Sequence, residues 1–218
     1  KLISDPDPET ALTNKRFPWL SSKYVELKMC PVHAIRVAYT GELGWELHHP
    51  IEMQNYLFDQ IIAAGEEFDL KLVGARAQNW LRQEKSYRAF GTELGRDATP
   101  VEADLPRFID LSKDFHGKAK MEATGIRAKC VTLLIDGPAD ADPWGREALF
   151  LDGTKIGRLT SGGYSVHFEK SIGMGYVSPE LAIVGQKLKV KMFNELWDAE
   201  IVTDSPYDPK NETIRMNG

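Results

Sequence analysis

The spacing of hydrophobic positions changes along this chain, and the changes mark its elements. From Ile51 to Ala64, Met53, Leu57 and Ile61 recur every four residues with Phe58 and Ile62 beside them, which lays an apolar stripe along one face of a helix. Gly65 follows where a helix C-terminus favours glycine. A second helical stretch, Gly74 to about Lys85, gathers Ala77, Trp80 and Leu81 on one side and sets Arg76, Arg82, Glu84 and Lys85 at other angles. Thr99-Pro100 and Leu105-Pro106 interrupt the chain, and Phe115 to Ala123 reads as one more short helix with Asp114 as its N-cap. Earlier, His33 to Tyr39 has the composition of a strand. From about Lys129 the pattern becomes short alternating runs: Cys130 to Ile135, Glu147 to Leu151, Lys155 to Thr160, Ile172 to Val177, Lys187 to Phe193 and Leu196 to Thr203. Lys187 to Met192 alternates charge and hydrophobe as a half-exposed strand does, and Asp152-Gly153 is a two-residue hairpin signal. Strands so spaced predict a small barrel or sandwich. The expected fold class is therefore α+β, with an α/β portion over residues 1–123 and a small C-terminal β-barrel over 124–218, divided beside Gly125.

The opening Lys1 to Thr10 contains two Asp-Pro pairs and no initiating Met, so it reads as linker, and the chain as a piece of something longer. Composition narrows the partners. Among 218 residues, 42% are hydrophobic and 27% charged, the profile of a chain that buries ordinary cores. A net charge of -5 with dispersed Lys and Arg points away from nucleic acid and anionic membrane as main partners. No apolar run approaches the roughly 20 residues of a membrane helix, and Lys1 to Leu20 has no signal-peptide core. Cys30 and Cys130 lie far apart without metal-type spacing, which predicts two buried thiols in a reducing compartment, the cytoplasm or a mitochondrial matrix.

The densest chemistry lies in Tyr39-Thr40-Gly41-Glu42-Leu43-Gly44-Trp45-Glu46. Gly41 and Gly44 can adopt positive φ, which would let a sharp bend turn Tyr39 and Glu46 toward one cavity. A carboxylate fixed there can accept two parallel N–H bonds from a guanidine-like edge, such as the amino-pyrimidinone edge of a pterin. The alternative is a hairpin in which Glu46 points to water between buried Trp45 and Leu47. Other chemistry is weaker. Thr160 to Ser165 reads as a glycine-rich turn of the barrel rather than a phosphate cradle, because no helix and lysine follow it. His48 and His49 are adjacent, so on a strand they face opposite sides and make a poor metal pair. Ser86, Ser161 and Ser165 with His116 or His167 lack the elbow motif of a hydrolase.

The order of motifs resembles the aminomethyltransferase family typified by the glycine-cleavage T-protein. Tyr39 to Glu46 is followed by Gly74-Ala75-Arg76, Leu81-Arg82-Gln83-Glu84-Lys85, Phe90-Gly91-Thr92-Glu93-Leu94, Thr99-Pro100-Val101-Glu102-Ala103 and Asp114-Phe115-His116-Gly117-Lys118, then by Gly157 to Ser165 and Ile172 to Val177. Glu84 to Gly91 and Pro206-Tyr207-Asp208-Pro209 resemble in particular the folate-binding C-terminal region of flavin-dependent dimethylglycine and sarcosine dehydrogenases.

The resemblance implies tetrahydrofolate binding and capture of a methylene group from a small methylated amine to give 5,10-methylenetetrahydrofolate. It implies that Tyr39 lies against the folate, Glu46 pairs with the pterin ring and Arg76 holds a second polar feature of the ligand. Arg76 read by itself is equally a helix-surface arginine paired with Glu42 or Glu46, and Arg82 with Glu84 an ion pair internal to the helix. The catalytic aspartate of the family has no counterpart here, and the resemblance implies that it lies in a missing N-terminal portion or partner subunit, where an FAD-binding domain would also lie. Asp104 stands where the family usually has glycine, which implies either an altered turn or an Asp held in a left-handed conformation there. A folate-dependent S- or O-demethylase and a non-catalytic folate-binding module remain alternatives.

Overall fold

The computed structural model describes residues 2–138 and 140–216. It divides into two compact units, one made of the residues up to Gln78 together with those from Lys210 onward, the other running from Asn79 to Pro209. No helix among the described residues is long and apolar enough to cross a membrane.

In the first unit, Cys30, Val32 and Ala34 alternate inward along one strand. That strand, β2 (Cys30–Ile35), lies between β1 (Ser22–Leu27) and β3 (Glu46–His48) in an antiparallel sheet. The inward side chains pack against Phe17 and against Leu57 of helix α1 (Gln54–Gly65). The expected helix from Ile51 opens instead as a 3₁₀ turn, Ile51–Met53, before α1 begins. Gly65 is not a left-handed cap, since its φ is −84°. A Cβ at Gly65 would lie 2.5 Å from Leu70 Cδ1, so space rather than conformation requires glycine there. The left-handed residue is Asp69, φ 52°, after a further 3₁₀ turn, Glu66–Phe68.

The linker expectation for the opening residues is overturned. Ile3 bridges to Leu27, the Ser4 N–H donates to the Glu26 carbonyl at 2.9 Å, and Asp5 pairs with Arg16 at 3.0 Å. The two Asp-Pro pairs therefore sit in a turn-rich segment that extends the free edge of β1, where proline costs no ladder bond.

In the second unit, six antiparallel strands close a barrel in the order β4-β7-β6-β5-β8-β9, namely Lys129–Ile135, Lys170–Val177, Thr154–Ser165, Ala148–Leu151, Lys187–Met192 and Glu195–Val202. The alternation of Lys187 to Met192 appears as strict out-in burial, with Leu188, Val190 and Met192 inside. Asp152 and Gly153 both have positive φ, 48° and 78°, as a tight hairpin turn demands. One expectation fails here. The Thr160 to Ser165 stretch is not a turn but the second half of β6, because its glycines let other groups approach closely: a Cβ at Gly163 would lie 2.2 Å from Trp80 Cδ1. Both cysteines are free and buried, as expected.

Helix α2 (Ala75–Glu84) ends in a tight C-terminal motif. The Tyr87 N–H donates to the Arg82 carbonyl and the Ser86 N–H to the Gln83 carbonyl, both at 2.9 Å, with Ser86 left-handed at φ 54°. Glycine usually occupies that position, but the Ser86 hydroxyl is paired with Thr132 Oγ1 at 2.7 Å and accepts the Ser205 N–H at 2.9 Å. Helix α3 (Lys118–Thr124) starts later than expected, because Gly117, φ 93°, and not Asp114, precedes its first turn.

Candidate functional site

Strand periodicity decides where Glu46 points. Leu47 lies opposite Ala34 and faces the core, so Glu46, opposite Ile35, and His48, opposite His33, take the other face. Glu46 is exposed, and its Oε2 lies 3.4 Å from His48 Nε2. On that same face the His33 ring lies 6.3 Å from His48 and stacks on Tyr24 at 4.5 Å, so Tyr24, His33, His48 and Glu46 form a row across the sheet. Period 2 on three paired strands was the signal for this row, but the β1 strand that carries Tyr24 had not been anticipated. Tyr39 lies in the β2–β3 loop and is 37% exposed. Gly41 has the positive φ expected of it, 85°; Gly44 does not, and its role is space, since a Cβ there would come 3.1 Å from Ala38 Cβ. Arg76 is the second residue of α2 and is exposed. Tyr39 and Glu46 thus share one loop-to-strand passage, while Arg76 comes from a separate helix.

In the second unit, a buried polar seam joins the residues after α2 to the barrel. The expected ion pair between Arg82 and Glu84 does not form, because residues two apart on a helix point in different directions. Arg82 instead donates to Glu93 Oε2 at 3.0 Å, to the Tyr87 carbonyl at 2.7 Å and to Ser161 Oγ at 2.7 Å. Glu93 also accepts the Thr160 hydroxyl at 2.7 Å, the Ala89 N–H at 3.0 Å and the Ser161 hydroxyl. Burial alone would raise the Glu93 carboxyl, but the Arg82 charge and these donors hold it below the usual carboxylate range.

Glu84 accepts the Ser165 hydroxyl at 2.5 Å and faces His167 Nδ1 at 2.7 Å. Both Ser165 and His167 therefore engage the carboxylate, which is not the arrangement of a nucleophile and its base. The His167 ring stacks on Tyr207 at 3.8 Å, and buried Lys85 donates to the Tyr207 and Asp208 carbonyls at 3.1 and 2.6 Å. The two short motifs Glu84-Lys85 and Tyr207-Asp208 are thus halves of one clamp.

Two further acids complete the seam. Glu102 takes Arg127 at 2.9 Å and the Thr99 N–H at 2.7 Å, and the Arg127 bonds together with those of Thr99 lower its carboxyl to about 2 against the burial that opposes them. Asp104 is left-handed at φ 60°, the second of the two alternatives, with Lys129 at 3.4 Å. The sequence showed Glu102 as an ordinary charge; only its burial distinguishes it.

The GCVT N-terminal domain matches residues 2–113, and the glycine cleavage T-protein C-terminal barrel domain matches residues 129–208. The chain belongs to the glycine cleavage T-protein family. It is 40% identical over 200 residues to mitochondrial dimethylglycine dehydrogenase of Rattus norvegicus, a match that covers 88% of this chain and 23% of that protein. It is 34% identical over 176 residues to an aminomethyltransferase of Caldanaerobacter subterraneus subsp. tengcongensis, covering 79% of this chain and 46% of that protein. The crystal structure of the glycine cleavage system aminomethyltransferase T from Bartonella henselae superposes with a TM-score of 0.72 at 22% identity, over 82% of this chain and 50% of that one, which establishes the shared T-protein fold. The chain thus spans less than a quarter of the length of the dehydrogenase it matches.

Proposed function

We propose that this chain is the tetrahydrofolate-binding one-carbon transfer region of a longer enzyme resembling dimethylglycine and sarcosine dehydrogenases. The observation that carries the proposal is the placement of Glu46, a carboxylate held on the exposed face of a strand and engaged by an imidazole at 3.4 Å rather than by a committed cation. A carboxylate so held is open to two parallel N–H bonds, which is the chemistry a pterin edge requires. The Tyr39 phenol, half-exposed in the adjoining loop, supplies a ring against which the folate lies, and Arg76 supplies a planar fork for a carbonyl or carboxylate. Residues 1–123 form the folate-binding part and 124–218 the barrel part of the region.

Bound tetrahydrofolate supplies the nitrogens N5 and N10 that accept the carbon. The part of this chain is to bind and orient: Glu46 fixes the ring, Tyr39 shields it from water, and Arg76 anchors a second point. Proton transfer falls to an aspartate outside these residues, and FAD, which would oxidise the methylated amine, to an upstream domain.

Calorimetric titration of the full-length protein with tetrahydrofolate tests this reading. Glu46→Ala removes a charge-assisted pair of hydrogen bonds, so affinity is expected to fall about 10- to 100-fold. Equal affinity in the variant and the parent would take Glu46 out of the site.

A further inference from the structure

Two open cavities lie side by side on the second unit, of about 570 and 580 Å³, sharing Ala98 and Arg127 in their walls. Arg146 and Arg158 stand around the first; Arg96, His116 and Lys120 stand around the second. The acids beside them are mostly committed. Glu93 is paired with Arg82, Glu102 holds Arg127, and Asp97 lies near Arg127 and adds to the field that raises it. The described wall of the second cavity contains no Asp or Glu. Among the described residues, the side chains of Arg96, Lys120, Arg146 and Arg158 have no hydrogen bond or ion pair. Four uncompensated cations around two adjoining concavities stand out in a chain of net charge -5.

The backbone holds one of them with care. Gly145 and Arg146 both have positive φ, 101° and 82°. The Glu147 carboxylate accepts the N–H groups of Trp144 and Gly145 at 2.9 and 2.8 Å, and the Arg146 N–H donates to the Leu159 carbonyl at 2.8 Å. A left-handed arginine is costly and persists where its surroundings over-determine it. Arg158 stands on β6 in register with Ala148 on one side and Tyr176 on the other, so the barrel wall itself fixes its place.

We propose that these joined cavities bind an elongated small polyanion, with one carboxylate or phosphate group held by Arg146 and Arg158 and another by Arg96 and Lys120. Guanidinium forks suit both oxyanions, and concave walls of this size suit a small molecule rather than a flat macromolecular surface. The proposal is independent of the folate reading, because none of its residues belongs to that site.

Calorimetric titration of the whole chain at low ionic strength, with tripolyphosphate and with citrate as probes, tests it. Binding of at least one is expected, and which one binds separates a phosphate from a carboxylate ligand. The double variants Arg146→Gln/Arg158→Gln and Arg96→Gln/Lys120→Gln are each expected to weaken binding tenfold or more. Lys187→Gln/Lys191→Gln, on exposed positions of β8, is expected to leave it unchanged. Failure of both probes, or an equal loss in the β8 variant, would overturn the proposal.

Discussion

Arg36 is the plainest case in which one residue carries more than its sequence position shows. It is fully buried, and among the described residues no carboxylate meets it. Its guanidinium donates to the Phe17 carbonyl at 2.7 Å, the Leu12 carbonyl at 3.2 Å, the Ile214 carbonyl at 3.4 Å and the Met216 carbonyl, and it lies 5.5 Å from the Trp45 ring centroid. Burial pulls its pKa downward, the direction expected of a cation kept from water. The carbonyls it satisfies belong to the opening turns and to the returning C-terminal segment, so Arg36 ties three stretches of the first unit together. Arg36→Ala is expected to destabilise that unit by about 3 kcal/mol or more, since it strands several buried acceptors; chemical denaturation checks it, and a change below about 0.5 kcal/mol would contradict this role. Nothing in the local pattern marked Arg36, because a buried arginine among backbone carbonyls looks in sequence like any strand-end charge. Glu46 differs: its outward direction follows the alternation of Trp45, Glu46 and Leu47, which is the hairpin alternative of the sequence and not a bend toward a cavity.

At the scale of elements, what was legible followed from period. The six barrel strands begin within two residues of their expected places, because turn residues bound each run and, in β8, inward and outward positions alternate strictly. Where the reading failed, tertiary contacts had taken over the role assigned to local chemistry. Gly65 and Gly163 are needed for the approach of Leu70 and Trp80, not for turns. Gly163→Ala is therefore expected to cost about 1–3 kcal/mol by overpacking against Trp80. Thermal melting checks it, and a neutral result would mean that α2 does not press on β6 as described. The seam under α2 was equally hidden, since partners such as Arg82 and Ser161 are far apart in sequence. Glu102 gives that seam a pH signature. Its folded pKa, about 2, lies below the ordinary carboxyl value of 4.5, so it contributes stability that is fully present well above pH 4.5 and is lost as pH falls toward 2. Over that window Glu102→Gln is expected to lose less stability than the parent, measured by melting temperature against pH; identical slopes would show that the Glu102–Arg127 bonds do not persist in solution.

For the molecule as a whole, the family was legible in the order of its motifs rather than in any single one, and two domain matches spanning most of the chain agree with it. The catalytic step was not legible, because the motifs that carry the resemblance offer groups suited to binding and orientation and name no residue for proton transfer. On this account the residues from Tyr39 to Glu46 form one wall of a folate pocket that other parts of a longer protein complete. Crystallographic soaking of the full-length protein with tetrahydrofolate tests that most directly. The account predicts the pterin edge within hydrogen-bond distance of both Glu46 carboxylate oxygens, with the Tyr39 ring against the folate. Folate bound elsewhere, with Glu46 left facing water, would contradict it.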